Sequence, residues 1–275
     1  MIAGFNICRR AACGFFSYLC DVLTENGLIM ESMNNRRSIR QYLSKDIPQD
    51  LLNELLLTAC RASTVGNMQT YSVVLTRDAE QKRKLAPAHF GQPMVQGAAA
   101  VLTFCIDLRR FSKWCQCRKA EPGYDNLEWF VTGAVDALLA AQTFCVAAEE
   151  KGLGICYLGT TTYNPDQIIE VLDLPELVFP ITTVTVGWPA EEPEQTDRLP
   201  LEAIVHEEVY HDYTPADIDR LYAYKESLPA NRRFVEENGK ETLAQVFTEV
   251  RYTKRDSEAM SERLWETMRR QGFVK

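Results

Sequence analysis

Apolar and polar positions alternate along this chain in blocks that read as helix and strand by turns, without internal repeats or low-complexity linkers. After Pro48, which suits a first helical turn, Leu51, Leu52, Leu55, Leu56, Ala59 and Cys60 recur at helical spacing. Tyr71–Thr76 predicts a strand. Ala98–Ile106 is an unbroken apolar run ending at Asp107, the pattern of a strand buried on both faces. Leu127–Glu150 predicts a long helix, apolar nearly all round and closed by Gly152. Asp136 and Gln142 interrupt it, and no other run matches it, so it reads as a core helix rather than a membrane span.

Further along, Leu153–Leu158 predicts a strand that stops at Gly159. Asn164-Pro165-Asp166 marks a helix start, with asparagine as cap and proline in the first turn. Phe179–Val186 is a strand rich in β-branched residues, closed by Gly187-Trp188-Pro189. The last hundred residues or so are polar and charged, with a helix expected over Ser257–Arg270. These elements describe one α and β domain around a central sheet. Neither a G-x-G-x-x-G run nor a P-loop is present, so a nucleotide held in the usual way on a helix N-terminus is not expected.

Residues 1–29 stand apart. Arg9-Arg10 precede a mixed apolar run to Cys20, and no small-x-small cleavage site closes it. Met30 and Met33 follow, so residues 1–29 read as an extension or an upstream start, with a single working domain over 30–275. A secretory leader is the competing reading.

Composition narrows the function. The chain has 275 residues, 46% of them apolar, enough for one large core or two small ones. Thirty basic against 38 acidic residues give a net charge of -8, which argues against a general nucleic-acid binder. Nine cysteines are an odd number in a chain too long to need disulfide staples. Cys60, Cys105, Cys145 and Cys156 lie in apolar segments and read as small buried hydrophobes. Cys115-Gln116-Cys117 has no second Cys/His pair at workable spacing, so no metal site is expected. A reduced, cytoplasmic protein fits this usage.

Against that acidic background, Arg36-Arg37-Ser38-Ile39-Arg40 packs three guanidinium groups and a hydroxyl into five residues, with Ile39 as an apolar anchor. Arginine forks match phosphate oxygens and a serine hydroxyl completes such a cradle. Taken alone, the run reads first as a solvated basic stretch, and second as a cradle for a small phosphorylated ligand.

Several spaced motifs then agree. The arginine run, Ile47-Pro48, Ala62-Ser63-Thr64-Val65-Gly66-Asn67-Met68-Gln69, Gly152–Gly159, Gly187-Trp188-Pro189-Ala190 and Arg198-Leu199-Pro200 together resemble the FMN-dependent nitroreductase and flavin reductase family. The likeness runs in order from about residue 34 to the C-terminus and is strongest to the larger, NADPH-preferring, oxygen-insensitive nitroreductases. It implies an α+β nitroreductase-like fold, a central mixed sheet flanked by helices, and an intertwined homodimer holding one FMN per subunit. Arg36, Arg37 and Ser38 match positions that hold the FMN phosphate and ribityl chain, and Arg40 matches a cation facing flavin N1 and O2, where charge collects on reduction. Thr64, Asn67 and Gln69 match a polar loop that reaches the flavin, often from the other subunit. Gln92 matches an amide on the pyrimidine edge, and Gly159 a backbone N–H aimed at N5. Arg198 matches a second phosphate ligand, and Thr196 stands where the family usually has lysine. Arg232 and Arg233 match the region that grips the extra phosphate of NADPH.

The activity implied is ping-pong transfer of two electrons from NAD(P)H to a small-molecule acceptor such as a nitroaromatic, a quinone or a free flavin, with Gly159 and Arg40 nearest the chemistry. No nucleic acid or membrane partner is implied. The alternatives are a dedicated flavin reductase, a narrower flavin reaction such as reductive dehalogenation, and a flavin-binding redox carrier or sensor without its own turnover.

Overall fold

The computed structural model describes residues 33–275, so the extension expected over residues 1–29 lies outside the described residues. They divide into two compact units: one runs to Pro193 and takes in Glu266–Lys275, the other is Glu194–Trp265.

The first unit is built on four strands, β1 (Tyr71–Thr76), β2 (Ala100–Asp107), β3 (Gly154–Leu158) and β4 (Val178–Gly187), in the order β1-β2-β4-β3. Every strand pair is antiparallel, whereas a mixed sheet was expected. Among the described residues parallel pairing enters at a single bridge, Ser38 to Ile155, where the arginine segment runs beside β3. β2 is central, fully buried, and covered by helices on both sides, so this antiparallel strand carries the unbroken apolar sequence usual in parallel sheets.

Side chains alternate across that strand. Ala100, Leu102 and Phe104 join Val184, Val186 and Ile155 in a core against α1 (Gln49–Ala59) and α5 (Leu127–Glu150). On the opposite face Val101, Cys156 and Leu158 pack with residues of α2 (Ala79–Leu85), α3 (Pro93–Gly97) and α6 (Pro165–Val171). Phe104 and Phe144 meet across the first layer at 6.1 Å, both fully buried. Burying a side chain of that kind stabilises by about 1.5–3 kcal/mol.

Helix α5 is capped by Asn126, which accepts from the Trp129 N–H at 3.2 Å. Its inner face carries Phe130, Ala137, Ala141, Phe144 and Ala148, all buried. The outer face is apolar as well: Leu127, Val131, Val135, Leu138 and Leu139 remain 43–53% exposed. Among the described residues this is one helix long and apolar enough to cross a membrane, and half of its apolar window is buried in the fold, as befits a core helix. A short helix α4 (Arg109–Gln116) follows β2. Residues 266–275 close the unit, with Phe273 packed edge-on against Phe130 and Phe179.

Two local expectations need correction. Cys60 is exposed rather than buried, because it falls one residue past Ala59, the last inward position of α1. Asn164 stands at the N-cap of α6 but does not cap it; its amide donates instead to the Ala88 carbonyl at 2.9 Å.

The second unit is helical: α7 (Pro215–Ser227), α8 (Pro229–Glu237), α9 (Leu243–Val246) and most of α10 (Lys254–Arg270). Thr214 with Asp217, and Thr242 with Gln245, form reciprocal capping boxes that start α7 and α9.

Candidate functional site

The arginine segment is extended and fixed by backbone pairing. Ile39 N–H donates to Ile155 O at 2.9 Å, and Tyr42 Oη donates to the Ile39 carbonyl at 2.7 Å. Ile39 is the expected anchor: it is buried against Gly154, where a Cβ would stand 2.7 Å from its side chain, so only glycine admits this approach. With the anchor inward, Arg36 and Arg37 line a cavity of about 440 Å³ with Glu149, Gly152, Glu191 and Glu192.

Each cation there is met by a carboxylate. Arg37 Nη1 lies 2.7 Å from Glu192 Oε1, and Arg36 Nε lies 3.5 Å from Glu149 Oε2. Burial pushes the Glu149 carboxyl up, opposed by the Arg36 charge. Glu191 accepts from the backbone N–H groups of Arg40 and Gln41 at 2.6 and 3.0 Å. Arg37 Nε is buried with no partner among the described residues. The Arg40 side chain is exposed.

Thr64, Asn67 and Gln69 share one loop containing a short 3-10 turn, Val65–Asn67. Gly66, Asn67 and Gln69 have φ of 51°, 55° and 51°, three left-handed residues among four. Such a backbone persists where its surroundings hold it, and here they do. Asp136, 2% exposed on α5, accepts from Val65 N at 3.0 Å, Thr70 N at 3.1 Å and Thr70 Oγ1 at 2.7 Å. Arg110 on α4 donates to the carbonyls of Gln69 and Tyr71, and its own N–H is held by Asp107 Oδ1 at 2.9 Å. Inside the loop Gln69 Nε2 donates to both oxygens of Asn67, each at 2.7 Å.

Gln92 follows a second left-handed pair, Phe90 (φ 54°) and Gly91 (φ 67°). Gly159 opens the 3-10 turn after β3, and a Cβ built there meets nothing within 4 Å. The two segments are joined by His89, fully buried, whose Nδ1 lies 2.9 Å from Thr160 Oγ1. Burial pushes this imidazole down to about 4, so it is neutral at neutral pH.

In the second unit Arg198 folds back on its own turn, donating to Thr196 O, Thr196 Oγ1 and Asp197 O at 3.3, 2.9 and 2.9 Å. Arg232 and Arg233 are exposed on α8.

The model of the Nitroreductase family matches residues 33–188, more than half of the chain. The chain belongs to the nitroreductase family. The chain is 33% identical over 229 residues to a Cr(VI) reductase of Pseudomonas sp. (strain G-1), covering 82% of this chain and 93% of that one. It is 35% identical over 184 residues to an FMN reductase (NADPH) of Bacillus subtilis (strain 168), covering 66% and 74% respectively. A solved protein of Bacteroides fragilis NCTC 9343 superposes with a TM-score of 0.88 at 68% identity, over 89% of this chain and all of that one.

FMN, the flavin that the family resemblance implies, is compatible with the residues present in this chain. Arg37 Nε is a buried donor without an acceptor among the described residues, and Gly159 leaves its backbone open to close approach. The structure brings Arg36 and Arg37 into one cavity, gathers Thr64, Asn67 and Gln69 on one loop, and ties the segments of Gln92 and Gly159 together. Of these, neither the loop residues nor Gln92 nor Gly159 lines the arginine cavity. Arg198, Arg232 and Arg233 belong to the other unit.

Sequence reasoning missed Asp136, Arg110 and His89. For Asp136 the signal was visible, an acid in an otherwise apolar helix, but it read as an interruption. His89 gave no signal beyond being one of three scattered histidines.

Proposed function

We propose that this chain is an FMN-dependent NAD(P)H oxidoreductase that acts as a homodimer on small-molecule acceptors. The observation that carries the reading is the partly buried pair Arg36 and Arg37 facing one cavity, with Arg37 Nε unpartnered among the described residues, in a chain of the nitroreductase family. Bound FMN would supply the redox chemistry, accepting a hydride at N5 from NAD(P)H and passing two electrons to an acceptor in a ping-pong cycle.

The chain's own residues then have separable tasks. Arg36, Arg37 and Ser38 bind the phosphate and ribityl chain. Arg40 places a fixed charge at the N1 and O2 edge, where negative charge grows on reduction. Gly159 offers its N–H at N5, Gln92 holds the pyrimidine edge, and Thr64, Asn67 and Gln69 hold the ring from their loop. Arg232 and Arg233 favour NADPH over NADH. Nitroaromatics, quinones and free flavins are the acceptors. Cysteines that are free at six described positions suit a cytoplasmic setting. The outer stripe of α5 supports the dimer, since a row of half-exposed leucines and valines is the material of an interface core.

The test is the visible spectrum of the purified protein, followed by NADPH oxidation with menadione or nitrofurazone. Oxidised-flavin bands and steady turnover are expected. Protein that carries FMN but never oxidises NADPH is a redox carrier or sensor; protein without flavin removes the reading.

A further inference from the structure

His89 occupies a place where hydrocarbon would pack more simply. It is fully buried, in the turn whose Ala86 and Ala88 join an apolar cluster with Met94, Val95, Leu158 and Ile168. Its Nε2 has no partner among the described residues, so the ring is desolvated for one hydrogen bond, Nδ1 to Thr160 Oγ1 at 2.9 Å. A buried polar group that is only half satisfied points to a geometric task rather than to stability.

The geometry shows what that bond joins. On one side, the His89 carbonyl accepts from Gln92 N–H at 3.1 Å, and Gly91 N–H closes on Ala86 O at 2.8 Å. With Phe90 and Gly91 both left-handed, the turn that presents Gln92 is therefore anchored on His89 itself. On the other side, Thr160 directly follows Gly159. Two flanking ties hold the same pair of segments, Asn164 Nδ2 to Ala88 O at 2.9 Å and the rings of Phe90 and Tyr163 at 6.5 Å. Of the three, the His89–Thr160 bond is the one next to both Gln92 and Gly159.

We propose that His89 is a positioning residue for flavin reduction, its bond to Thr160 setting the Gln92 turn against the Gly159 backbone N–H. The proposal rests on the reading of Gln92 and Gly159 as contacts to the flavin ring. His89 touches neither cofactor nor substrate; it acts through the two segments, fixing the distance between a ring-edge amide and the N5-facing amide. A displacement of a few tenths of an ångström between them changes the rate of reduction more than the binding of FMN, which is dominated by the phosphate.

Three single variants of the FMN-loaded protein separate this role from packing. His89→Asn keeps a polar atom on Cγ where the imidazole has Nδ1 but loses the ring volume. His89→Phe keeps the volume and loses the bond. Thr160→Val removes the partner oxygen with almost no change of shape. The measurements are FMN stoichiometry, thermal stability, and the stopped-flow rate of flavin reduction at saturating NADPH. Phe and Val should each slow reduction about tenfold with FMN retained, and the double variant should be no slower than either single one. Asn should reduce at close to the wild-type rate even where it melts earlier. Wild-type rates in both His89→Phe and Thr160→Val, or a rate order that follows melting temperature instead of the bond, would overturn the proposal while leaving the flavin reading intact. Wild-type protein that carries no flavin overturns both.

Discussion

Asp136 shows how much one buried group can organise. Its carboxylate takes three hydrogen bonds from Val65 and Thr70, and through them holds a loop with three left-handed residues. Hydrogen bonds to a charged group contribute about 1.5–3 kcal/mol each. Asp136→Asn keeps one acceptor oxygen but turns an N–H2 toward donors, so we expect a loss of about 2–3 kcal/mol in urea unfolding and weaker FMN binding in a fluorescence titration. An unchanged affinity would detach the loop from the flavin. His89 gives the acid side of the same unit. Its folded pKa of about 4 lies below the ordinary 6.5, so as pH falls through 6.5 the unfolded chain takes up a proton that the folded chain refuses. The stability this contributes is complete above 6.5 and is lost toward 4, at about 1.4 kcal/mol per pH unit and about 3 kcal/mol in all. Urea unfolding at pH 7 and pH 4.5 should show the wild type losing about 2 kcal/mol more than His89→Asn, which has nothing to titrate.

Among the elements, α5 carries the most consequence. Its inner face builds the core beneath the sheet, and its outer stripe of Leu127, Val131, Val135, Leu138 and Leu139 is half exposed. If a second subunit covers that stripe, the double variant Val135→Glu/Leu139→Glu buries like charges across a two-fold interface. The dimer dissociation constant should rise at least about a hundredfold, roughly 2.7 kcal/mol, in sedimentation equilibrium. Identical sedimentation of wild type and variant would place the interface elsewhere. The helix also marks where sequence reading succeeds and stops. Its length and closing glycine were plain, as were all four strands and the inward Ile39, because each is written in the apolar residues of one segment. The direction of strand pairing was not, since burial on both faces erases the alternation that separates antiparallel from parallel strands. Nor was the task of Asp136, whose partners lie 66 and 71 residues away. Cys60 read as inward because the apolar spacing ran one residue beyond the helix that uses it.

At the scale of the molecule, the candidate contacts are distributed over two units. Arg232 and Arg233 lie exposed on α8, with no ion pair to either among the described residues. Neutralising both should raise KM for NADPH about tenfold and leave that for NADH nearly unchanged, because a 2′-phosphate is all that separates the two donors. Equal effects on both donors would remove this assignment. The division has a further consequence, in time rather than space. The first unit is discontinuous: Phe273 is fully buried against Phe130 and Phe179, and Gln271 O accepts from Leu177 N–H at 2.9 Å. A ribosome adding about 5–20 residues per second spends several seconds on Glu194–Trp265 after Pro193 has been made, and until residue 273 emerges the sheet layer lacks a wall. During that interval the nascent chain exposes the aromatic faces of Phe130 and Phe179, a hydrophobic mark of the kind that chaperones hold. A premature stop within the last few codons would leave every candidate flavin contact translated and its scaffold unclosed.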